Sequence, residues 1–286
     1  MFTRPAITPT VVRCIVHRGM GSGGQLRENS LAALTAGLER ADGVETDLRL
    51  SGSSSVWLNH NADVQDAITG KSVFIHLATD KELRKVRVTG GDGQLYPLAT
   101  LDQLLQRLQE PRFQDKIAVL ETKAAPAGLS KAEKRRYEAT IALEQVRSIE
   151  KLGVKGQVRH SSFDASMLNA LRRFSPDSGR RLLTRPKKAL LPQIVAARLR
   201  GASFDGFHLG TNHSGGEKHP VSLRTMRALD RLYGAMGSWS TNDPHEAQMQ
   251  VEAARASRKL REFELITDSP DVITDVVHGR TKPDAL

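Results

Sequence analysis

The chain has 286 residues, 39% hydrophobic and 26% charged, which is typical of a folded globular protein and excludes a wholly disordered or fibrous one. Lys and Arg number 42 against 32 Asp and Glu, so the net charge is +10 and favours anionic partners: nucleic acid, an acidic membrane face or a phosphate-bearing small molecule. The single cysteine, Cys14, excludes an intrachain disulfide and a zinc site built on several cysteines. No apolar run approaches the ~20 residues that span a bilayer, and no secretory signal is visible, so we expect a cytoplasmic protein.

Short β-rich apolar runs alternate with amphipathic helical patterns along the chain. The predicted strands are Val11–His17, Gly43–Leu50, Lys116–Lys123, Gly156–Phe163, Arg180–Thr184, Phe204–Leu209, Ala235–Ser240 and Phe263–Thr267. The predicted helices are Ser30–Arg40, Leu101–Leu108, Ser130–Leu152, Ala165–Phe174, Gln193–Leu199, Ser222–Leu232 and Pro244–Ala254. This alternation predicts an α/β fold with a parallel sheet, closed as a (β/α)₈ TIM barrel, with an open doubly wound sheet as the alternative.

One segment interrupts the alternation. Residues 51–97 contain a short predicted strand, Val56–His60, and then a polar stretch with several glycines. We interpret residues 51–97 as an insertion on the rim of the barrel and residues 1–286 as a single barrel domain.

A glycine pattern after the first strand invites a different interpretation. Gly19, Gly21 and Gly24 spell G-x-G-x-x-G, and acidic residues follow a little over 20 positions later, as in dinucleotide-binding proteins. In those proteins a helix begins within the glycines and binds the pyrophosphate. Here helical periodicity begins only near Ser30, so the pattern favours a loop.

Ionisable side chains with catalytic potential cluster where the first strands end. They are His17, Arg18, Glu45, Asp47, His60, Glu121 and Lys123. Residues two apart on a strand point to the same side, and the carboxyl ends of barrel strands converge on one mouth. We therefore expect these two histidines, three carboxylates, one guanidinium and one ammonium to meet there.

This mixture of groups suits the hydrolysis of a phosphodiester. Three adjacent carboxylates raise one another's pKa unless a hard divalent cation, Mg²⁺ or Ca²⁺, joins them. Arg18 and Lys123 would hold a phosphate, and two histidines suit a general base and a general acid on opposite sides of phosphorus.

The same residues lie in motifs that resemble those of the glycerophosphodiester phosphodiesterase family. The motifs are His17-Arg18-Gly19, Glu28-Asn29-Ser30, Gly43-Val44-Glu45-Thr46-Asp47, His60, Glu121-Thr122-Lys123, Ser162-Phe163-Asp164, Trp239-Ser240-Thr241-Asn242 and Ile266-Thr267-Asp268-Ser269-Pro270-Asp271. They follow the family's order over nearly the whole chain. The resemblance implies a metal-dependent TIM barrel that hydrolyses a small glycerol- or sugar-type phosphodiester.

The resemblance also implies a role for each matching residue. His17 and His60 match the family's catalytic histidines. Glu45, Asp47 and Glu121 match the family residues that bind one divalent cation, Mg²⁺ or Ca²⁺.

Three further residues match substrate contacts. Arg18 and Lys123 match phosphate contacts, and Trp239 matches an aromatic residue that lines the alcohol pocket.

Three positions depart from the family pattern. Arg27 replaces a proline, Ala99 stands where a proline often begins the segment before Thr100-Leu101, and Asn61 replaces the aspartate that follows the second histidine. An uncharged amide at position 61 changes the field around His60 and bears on the choice of substrate.

Several alternatives stay open. A phospholipase D-like enzyme acting on lipids would need an exposed apolar rim, which the sequence does not show. The net charge leaves a nucleic-acid-binding module open, although dispersed charge and 5% aromatic residues argue against specific nucleic-acid binding. A barrel that binds phosphodiesters without turnover would follow if Asn61 disabled the second histidine. The oligomeric state is not predicted.

Other basic residues near the predicted mouth are less specific. His208, His213 and His219 lie on or after the sixth strand and are candidates for a metal cluster or substrate contact. Residues 185–188 hold an arginine and two lysines that could attract an anionic substrate. The whole basic stretch 172–188 is otherwise interpreted as solvated surface.

Overall fold

Eight parallel strands close into a barrel in the computed structural model, which describes residues 10–21, 25–185, 190–199, 201–211 and 233–280. The barrel strands are β1 (Val11–Val16), β2 (Gly43–Leu50), β3 (Ile117–Thr122), β4 (Val158–Ser162), β5 (Arg180–Thr184), β6 (Gly206–Gly210), β7 (Ala235–Trp239) and β8 (Glu262–Thr267). Each strand pairs with its neighbours in chain order, and β1 pairs with both β2 and β8. The predicted TIM barrel is therefore confirmed, and the open sheet is wrong.

Helices follow the strands and cover the barrel. They are α1 (Leu31–Arg40), α2 (Leu101–Leu108), α3 (Lys131–Leu152), α4 (Ala165–Phe174), α5 (Leu190–Leu199), α6 (Pro244–Ala256) and α7 (Pro270–Val277). Ser30 caps α1 by accepting a hydrogen bond from the backbone N–H of Ala33, and Ser130 forms a capping box with Glu133 at the start of α3. Of the described helices, none is long and apolar enough to cross a membrane.

The predicted elements match the observed ones closely. Strand ends differ by two residues at most. Helix α5 begins three residues before the predicted Gln193, because Pro192 lies in its first turn, where a missing N–H costs no helical hydrogen bond. Helix α7 was not predicted, and the predicted helix at 222–232 lies outside the described residues.

Residues 51–97 form short elements at the carboxyl end of β2. Strand Val56–Leu58 pairs antiparallel with β2 and with Ala99–Thr100, so it extends the barrel sheet. Two hairpins follow, Asp63–Gln65 with Ser72–Phe74 and Arg87–Thr89 with Leu95–Pro97. A separate apolar cluster fills this segment; its fully buried members include Trp57, Ile75 and Leu83.

Side chains alternate between the two faces of the barrel wall. Cys14 and Val16 on β1 pack outward into the main core beneath the helices. Ile15 points inward and contacts Val119 and Ile266 inside the barrel. This alternation brings every second residue of a strand to the interior or to the mouth above it.

Charged side chains fill the amino-terminal half of the interior. Three arginines form ion pairs with Glu262 on β8: Arg13, Arg159 and Arg181. Glu264, fully buried, accepts a hydrogen bond from His208 on β6. The expectation that His208 lies at the mouth is therefore wrong, since its side chain is enclosed by the barrel. The interpretation of 172–188 as solvated surface is also wrong for Arg180 and Arg181, which are buried.

Candidate active site

The mouth at the carboxyl ends of the strands contains a cavity of about 600 Å³. Six of the residues selected from the sequence line it: His17, Arg18, His60, Glu121, Lys123 and Trp239. The other two, Glu45 and Asp47, are buried and form ion pairs with lining residues. The fold thus brings all eight together.

The three carboxylates form one compact group. Asp47 lies directly opposite Glu121 in the β2–β3 register, and Glu45, two residues earlier on β2, points to the same side. One oxygen of each carboxylate lies within 4.8 Å of the others. All three side chains are largely shielded from solvent, so their charges interact strongly.

Burial and neighbouring charges separate the pKa values of the two carboxylates on β2. Burial raises the pKa of Glu45 to about 8, and the charge of Asp47 adds to the effect. Burial would also raise the pKa of Asp47, but Lys123 and Arg18 outweigh it and lower that pKa to about 2. The Lys123 ammonium lies 2.7 Å from Asp47 Oδ1 and donates a hydrogen bond to Glu121.

This group fits a hard divalent cation. Carboxylate oxygens are the ligands that Mg²⁺ and Ca²⁺ prefer. Glu45 Oε1 is buried without a hydrogen-bond partner, an arrangement that costs free energy unless a further positive centre contacts it. The donor set and this oxygen together match a cation held by Glu45, Asp47 and Glu121.

Asn29 is a site residue to which no role in the site was assigned from the sequence. Its side-chain amide donates a 2.8 Å hydrogen bond to Asp47 Oδ2, and its carbonyl oxygen accepts hydrogen bonds from the Thr46 hydroxyl and the Asp47 backbone N–H. A left-handed backbone with φ of 58° turns Asn29 towards β2. Its place in the Glu28-Asn29-Ser30 motif was the available signal.

His17 is oriented by a carboxylate on the last strand. Its Nδ1 donates a 2.7 Å hydrogen bond to the Asp268 carboxylate. That carboxylate also accepts a hydrogen bond from the side-chain amide of Asn242, and the Asp268 backbone N–H donates one to the Asn242 side-chain oxygen. His17 Nε2 lies 3.9 Å from Glu45 Oε2. Burial alone would lower the pKa of His17, but the bond to Asp268 and the charge of Glu45 outweigh it and raise that pKa.

His60 has the opposite environment. It is half-buried, and its Nδ1 lies 3.1 Å from the amide oxygen of Asn61. Burial lowers the pKa of His60, and the nearby Lys123 charge lowers it further. The charge of Asp47 and the hydrogen bond to Asn61 act in the opposite direction but do not outweigh these effects, so the neutral imidazole is favoured.

A tight turn after β1 positions Arg18. Arg18 and Gly19 both have positive φ, and the Arg18 backbone N–H donates to Glu45. A side chain at Gly19 would place its Cβ 2.5 Å from the Ala33 backbone, so the turn packs against α1 only with glycine there. Gly19 and Gly21 thus lie in a turn, as predicted, and α1 begins only at Leu31, whereas Gly24 lies outside the described residues. The Arg18 guanidinium pairs with Glu28 at 2.8 Å.

The far wall of the cavity is aromatic and basic. Trp239 and Phe163 meet edge to face, with ring centroids 5.5 Å apart. The Arg185 guanidinium carbon lies 5.5 Å from the Phe163 ring centroid. Arg49 also lines the cavity; it was missed, although it lies two residues after Asp47 on the same side of β2. His213, His219 and the lysines at 187 and 188 lie outside the described residues.

The chain matches one known protein family and is similar to several solved structures. The profile of the glycerophosphoryl diester phosphodiesterase family matches residues 17–272. Similar solved structures include a candidate glycerophosphoryl diester phosphodiesterase from Silicibacter pomeroyi, with 20% identity, 96% of this chain and 95% of that chain covered, and a TM-score of 0.75. A glycerophosphodiester phosphodiesterase from Parabacteroides distasonis has 18% identity, coverage of 96% and 100%, and a TM-score of 0.66.

A third similar structure contains a ligand. It is a phosphodiesterase from Oleispira antarctica in complex with the product sn-glycerol-3-phosphate, with 18% identity, coverage of 93% and 96%, and a TM-score of 0.70. At these identities the likeness shows the fold. No curated protein sequence gives a significant match. On the family match over residues 17–272, the chain belongs to the glycerophosphoryl diester phosphodiesterase family and is an enzyme of the phosphoric diester hydrolase class.

Proposed function

We propose that this enzyme hydrolyses a small glycerophosphodiester to an alcohol and a phosphomonoester, with one divalent cation and two histidines. The observation that carries the proposal is the convergence of three carboxylates and two histidines of opposite environment on one cavity. The cavity volume of about 600 Å³ lies within the usual range for small-molecule sites.

Glu45, Asp47 and Glu121 would hold the cation, Mg²⁺ or Ca²⁺. When bound, the cation supplies Lewis-acid stabilisation of charge on the phosphate oxygens. Arg18 and Lys123 line the same cavity and would bind the non-bridging oxygens of the phosphate. In this structure Lys123 forms ion pairs with Asp47 and Glu121. If the divalent cation neutralised those two carboxylates, the Lys123 ammonium would be available to bind the phosphate.

The contacts of the two histidines support different proton-transfer roles. Asp268 accepts from His17 Nδ1, stabilises the protonated imidazole and leaves Nε2 to donate a proton to the oxygen of the departing alcohol. His60, held neutral beside Lys123, would accept a proton from the attacking hydroxyl. The P–O bond to the alcohol breaks as the new P–O bond forms, and one proton is taken up and one delivered.

The attacking hydroxyl belongs to water or to the substrate itself. A neighbouring hydroxyl of the glycerol would give a cyclic phosphate before the monoester. Phosphorus NMR during turnover separates the two routes, because only the second passes through a cyclic species.

The structurally similar phosphodiesterase from Oleispira antarctica binds sn-glycerol-3-phosphate as a product. This supports a substrate in which glycerol phosphate is joined to a second alcohol. Sugar phosphodiesters are the second class to test. We further propose that the enzyme does not bind a specific nucleic acid, because aromatic residues suited to base stacking are few.

A panel of phosphodiesters assayed with and without chelator tests the proposal. We expect hydrolysis of at least one glycerophosphodiester, loss of that activity with chelator, and its recovery with Mg²⁺ or Ca²⁺. Glu121→Gln should weaken cation binding and activity together. The surface variant Glu144→Gln, whose side chain pairs only with Arg147 among the described residues, is the matched control. Full activity of Glu121→Gln in the presence of chelator would refute the cation site.

A further inference from the structure

His60 lies in a short turn between two strands rather than in a helix or strand of its own. Strand Val56–Leu58 pairs with β2, and the first hairpin of the insertion begins at Asp63. His60 comes between them, is half-buried and lines the cavity. The position of its imidazole therefore depends on the contacts that hold this turn in place.

Asn59 is the side chain that holds the turn together. It is buried, and its backbone N–H donates a 3.0 Å hydrogen bond to the carbonyl of Asp47 on β2. Its side-chain nitrogen donates to two backbone carbonyls, that of Asn61 at 2.9 Å and that of Asp63 at 3.2 Å. One buried residue thus binds the backbone that follows His60 while its own backbone is fixed on the barrel.

Arg27 determines which way the Asn59 amide faces. Its guanidinium donates hydrogen bonds to the side-chain oxygen of Asn59 and to the backbone carbonyl of Glu28. A guanidinium has donors only, so it can bind the amide oxygen but not the amide nitrogen. With the oxygen directed towards Arg27, both N–H groups of the amide face the two carbonyls of the turn.

Arg27 itself lies where the loop after β1 contacts the insertion. In the turn of the second hairpin, the backbone N–H of Asp92 donates a 2.8 Å hydrogen bond to the carbonyl of Gln25. A Cβ atom at Gly90 would lie 3.1 Å from the backbone nitrogen of Arg27, so the two segments are in close contact. This contact fixes the backbone from which the Arg27 side chain reaches Asn59.

Arg49 binds the same turn from the side of β2. Its guanidinium donates a 2.6 Å hydrogen bond to the carbonyl of His60 and also contacts the hydroxyl of Tyr137 on α3. The carbonyl of Ala62 accepts a 3.0 Å hydrogen bond from the backbone N–H of Ile75. Together with the two bonds from the amide described above, every carbonyl from position 60 to position 63 has a donor, which restricts the backbone that carries the imidazole.

We propose that Asn59 is a positioning residue for His60, and that Arg27 acts through Asn59 by keeping its amide in the donating orientation. The inference rests on the proposed function, in which His60 accepts the proton of the attacking hydroxyl. A general base must lie within hydrogen-bond reach of that proton, and a displacement of about 1 Å can lower the rate by about 10²-fold. Arg27 replaces a proline of the family pattern, a residue that could not donate this hydrogen bond.

Kinetics of Asn59 variants on the diester of glycerol phosphate with glycerol test the inference. Asn59→Ala should lose about 10- to 10²-fold in kcat with KM little changed, and should lose nothing more in a His60→Ala background. Asn59→Asp keeps the size and the oxygen that meets Arg27 but cannot donate to the carbonyls, so it should be no better than Asn59→Ala. Should Asn59→Ala fail to fold, Asn59→Ser keeps one donor and should show the same pattern with smaller losses.

The matched control and the Arg27 variants locate the effect. Asn169→Ala should keep the wild-type kcat, because that side chain accepts a hydrogen bond from the backbone of Ser203 and does not line the cavity. Arg27→Met removes the donor to Asn59 and should lower kcat several-fold, whereas Arg27→Gln can still donate and should lose less. The effect of Arg27→Met should vanish in an Asn59→Ala background; an undiminished loss there would refute the role of Arg27.

NMR of the histidine rings follows the position of His60 without turnover, and the His60 signal is assigned by its absence in His60→Ala. Asn59→Ala should shift or broaden this signal, and Asn169→Ala should leave it unchanged. If His60→Ala is slow but Asn59→Ala keeps the wild-type kcat and the wild-type His60 signal, the inference is refuted and the proposed function stands. If Asn59→Ala changes the signal but the wild-type protein hydrolyses no diester, the positioning of His60 stands and the proposed function fails.

Discussion

Cation binding by this enzyme should release a proton from Glu45. Its carboxyl has a pKa of about 8 because it is buried and close to Asp47, whereas a cation binds the ionised form. At pH 7 about one molecule in ten has this group ionised, so the proton must leave when the cation enters. The apparent dissociation constant should therefore increase as the pH falls below 8, by about tenfold between pH 9 and pH 7.

Calorimetric titration with Mg²⁺ or Ca²⁺ at pH 7 in two buffers with different heats of protonation measures the released proton directly. We expect a value close to one. Glu45→Gln should bind the cation more weakly and lose this release, whereas His17→Gln should keep it, because the histidine is not a proposed ligand. A dissociation constant that is the same at pH 7 and pH 9, with no proton release in the wild-type protein, would refute this account of Glu45.

Three other substitutions have definite expected outcomes. Asp268→Asn should lower the pKa of His17 and reduce kcat by about 10²-fold, the lower end of general acid–base contributions; an unchanged pH–rate profile would contradict its positioning role. Glu264→Gln should lower the free energy of unfolding by about 3 kcal/mol in urea titrations, because it removes the negative charge that contacts the buried His208 and Arg181. In the folded protein the pKa of Glu264 is lowered to about 2. Its contribution to stability is therefore present above the unfolded pKa of about 4.3 and is lost as the pH falls from there to 2. If the wild-type protein and the variant lost stability equally over that pH range, this account of Glu264 would be contradicted. Asn61→Asp should change the rate through His60, and therefore have no effect in a His60→Ala background.

Much of the barrel could be predicted because its strands are short apolar runs separated by amphipathic helices. The carboxylate group was also predictable, since Glu45 and Asp47 alternate on one strand and Glu121 lies in register beside them. These are local patterns, and the convergence of strand ends in a parallel barrel turns them into a site.

Other features depended on contacts between residues far apart in sequence. Arg181 lies in a basic stretch typical of a surface, yet it is buried because Glu262 and Glu264 on β8 face it across the barrel. The burial of His208 could not be predicted either, because it depends on a contact with Glu264 inside the barrel, on a strand far away in the sequence. Ion pairs across a barrel leave no periodic signal in a single sequence.

The hairpins within residues 51–97 and helix α7 were not predicted from the sequence pattern. The hairpin strands in that segment, such as Asp63–Gln65, are three residues long and partly polar, too short for alternation to distinguish them from loops. Helix α7 has Pro270 at its first position, which is compatible with a helix start but was interpreted only as part of a family motif.

The most direct test of the proposed mechanism is the rate of His17→Ala and His60→Ala on two diesters of glycerol phosphate, one with a glycerol and one with a 4-nitrophenyl leaving group. A nitrophenolate needs little protonation, so His17→Ala should lose about 10²–10⁴-fold in kcat on the glycerol ester and recover most of it on the nitrophenyl ester. His60→Ala should be slow on both. Equal and small losses for both variants on both substrates would show that these histidines are structural and would contradict the mechanism.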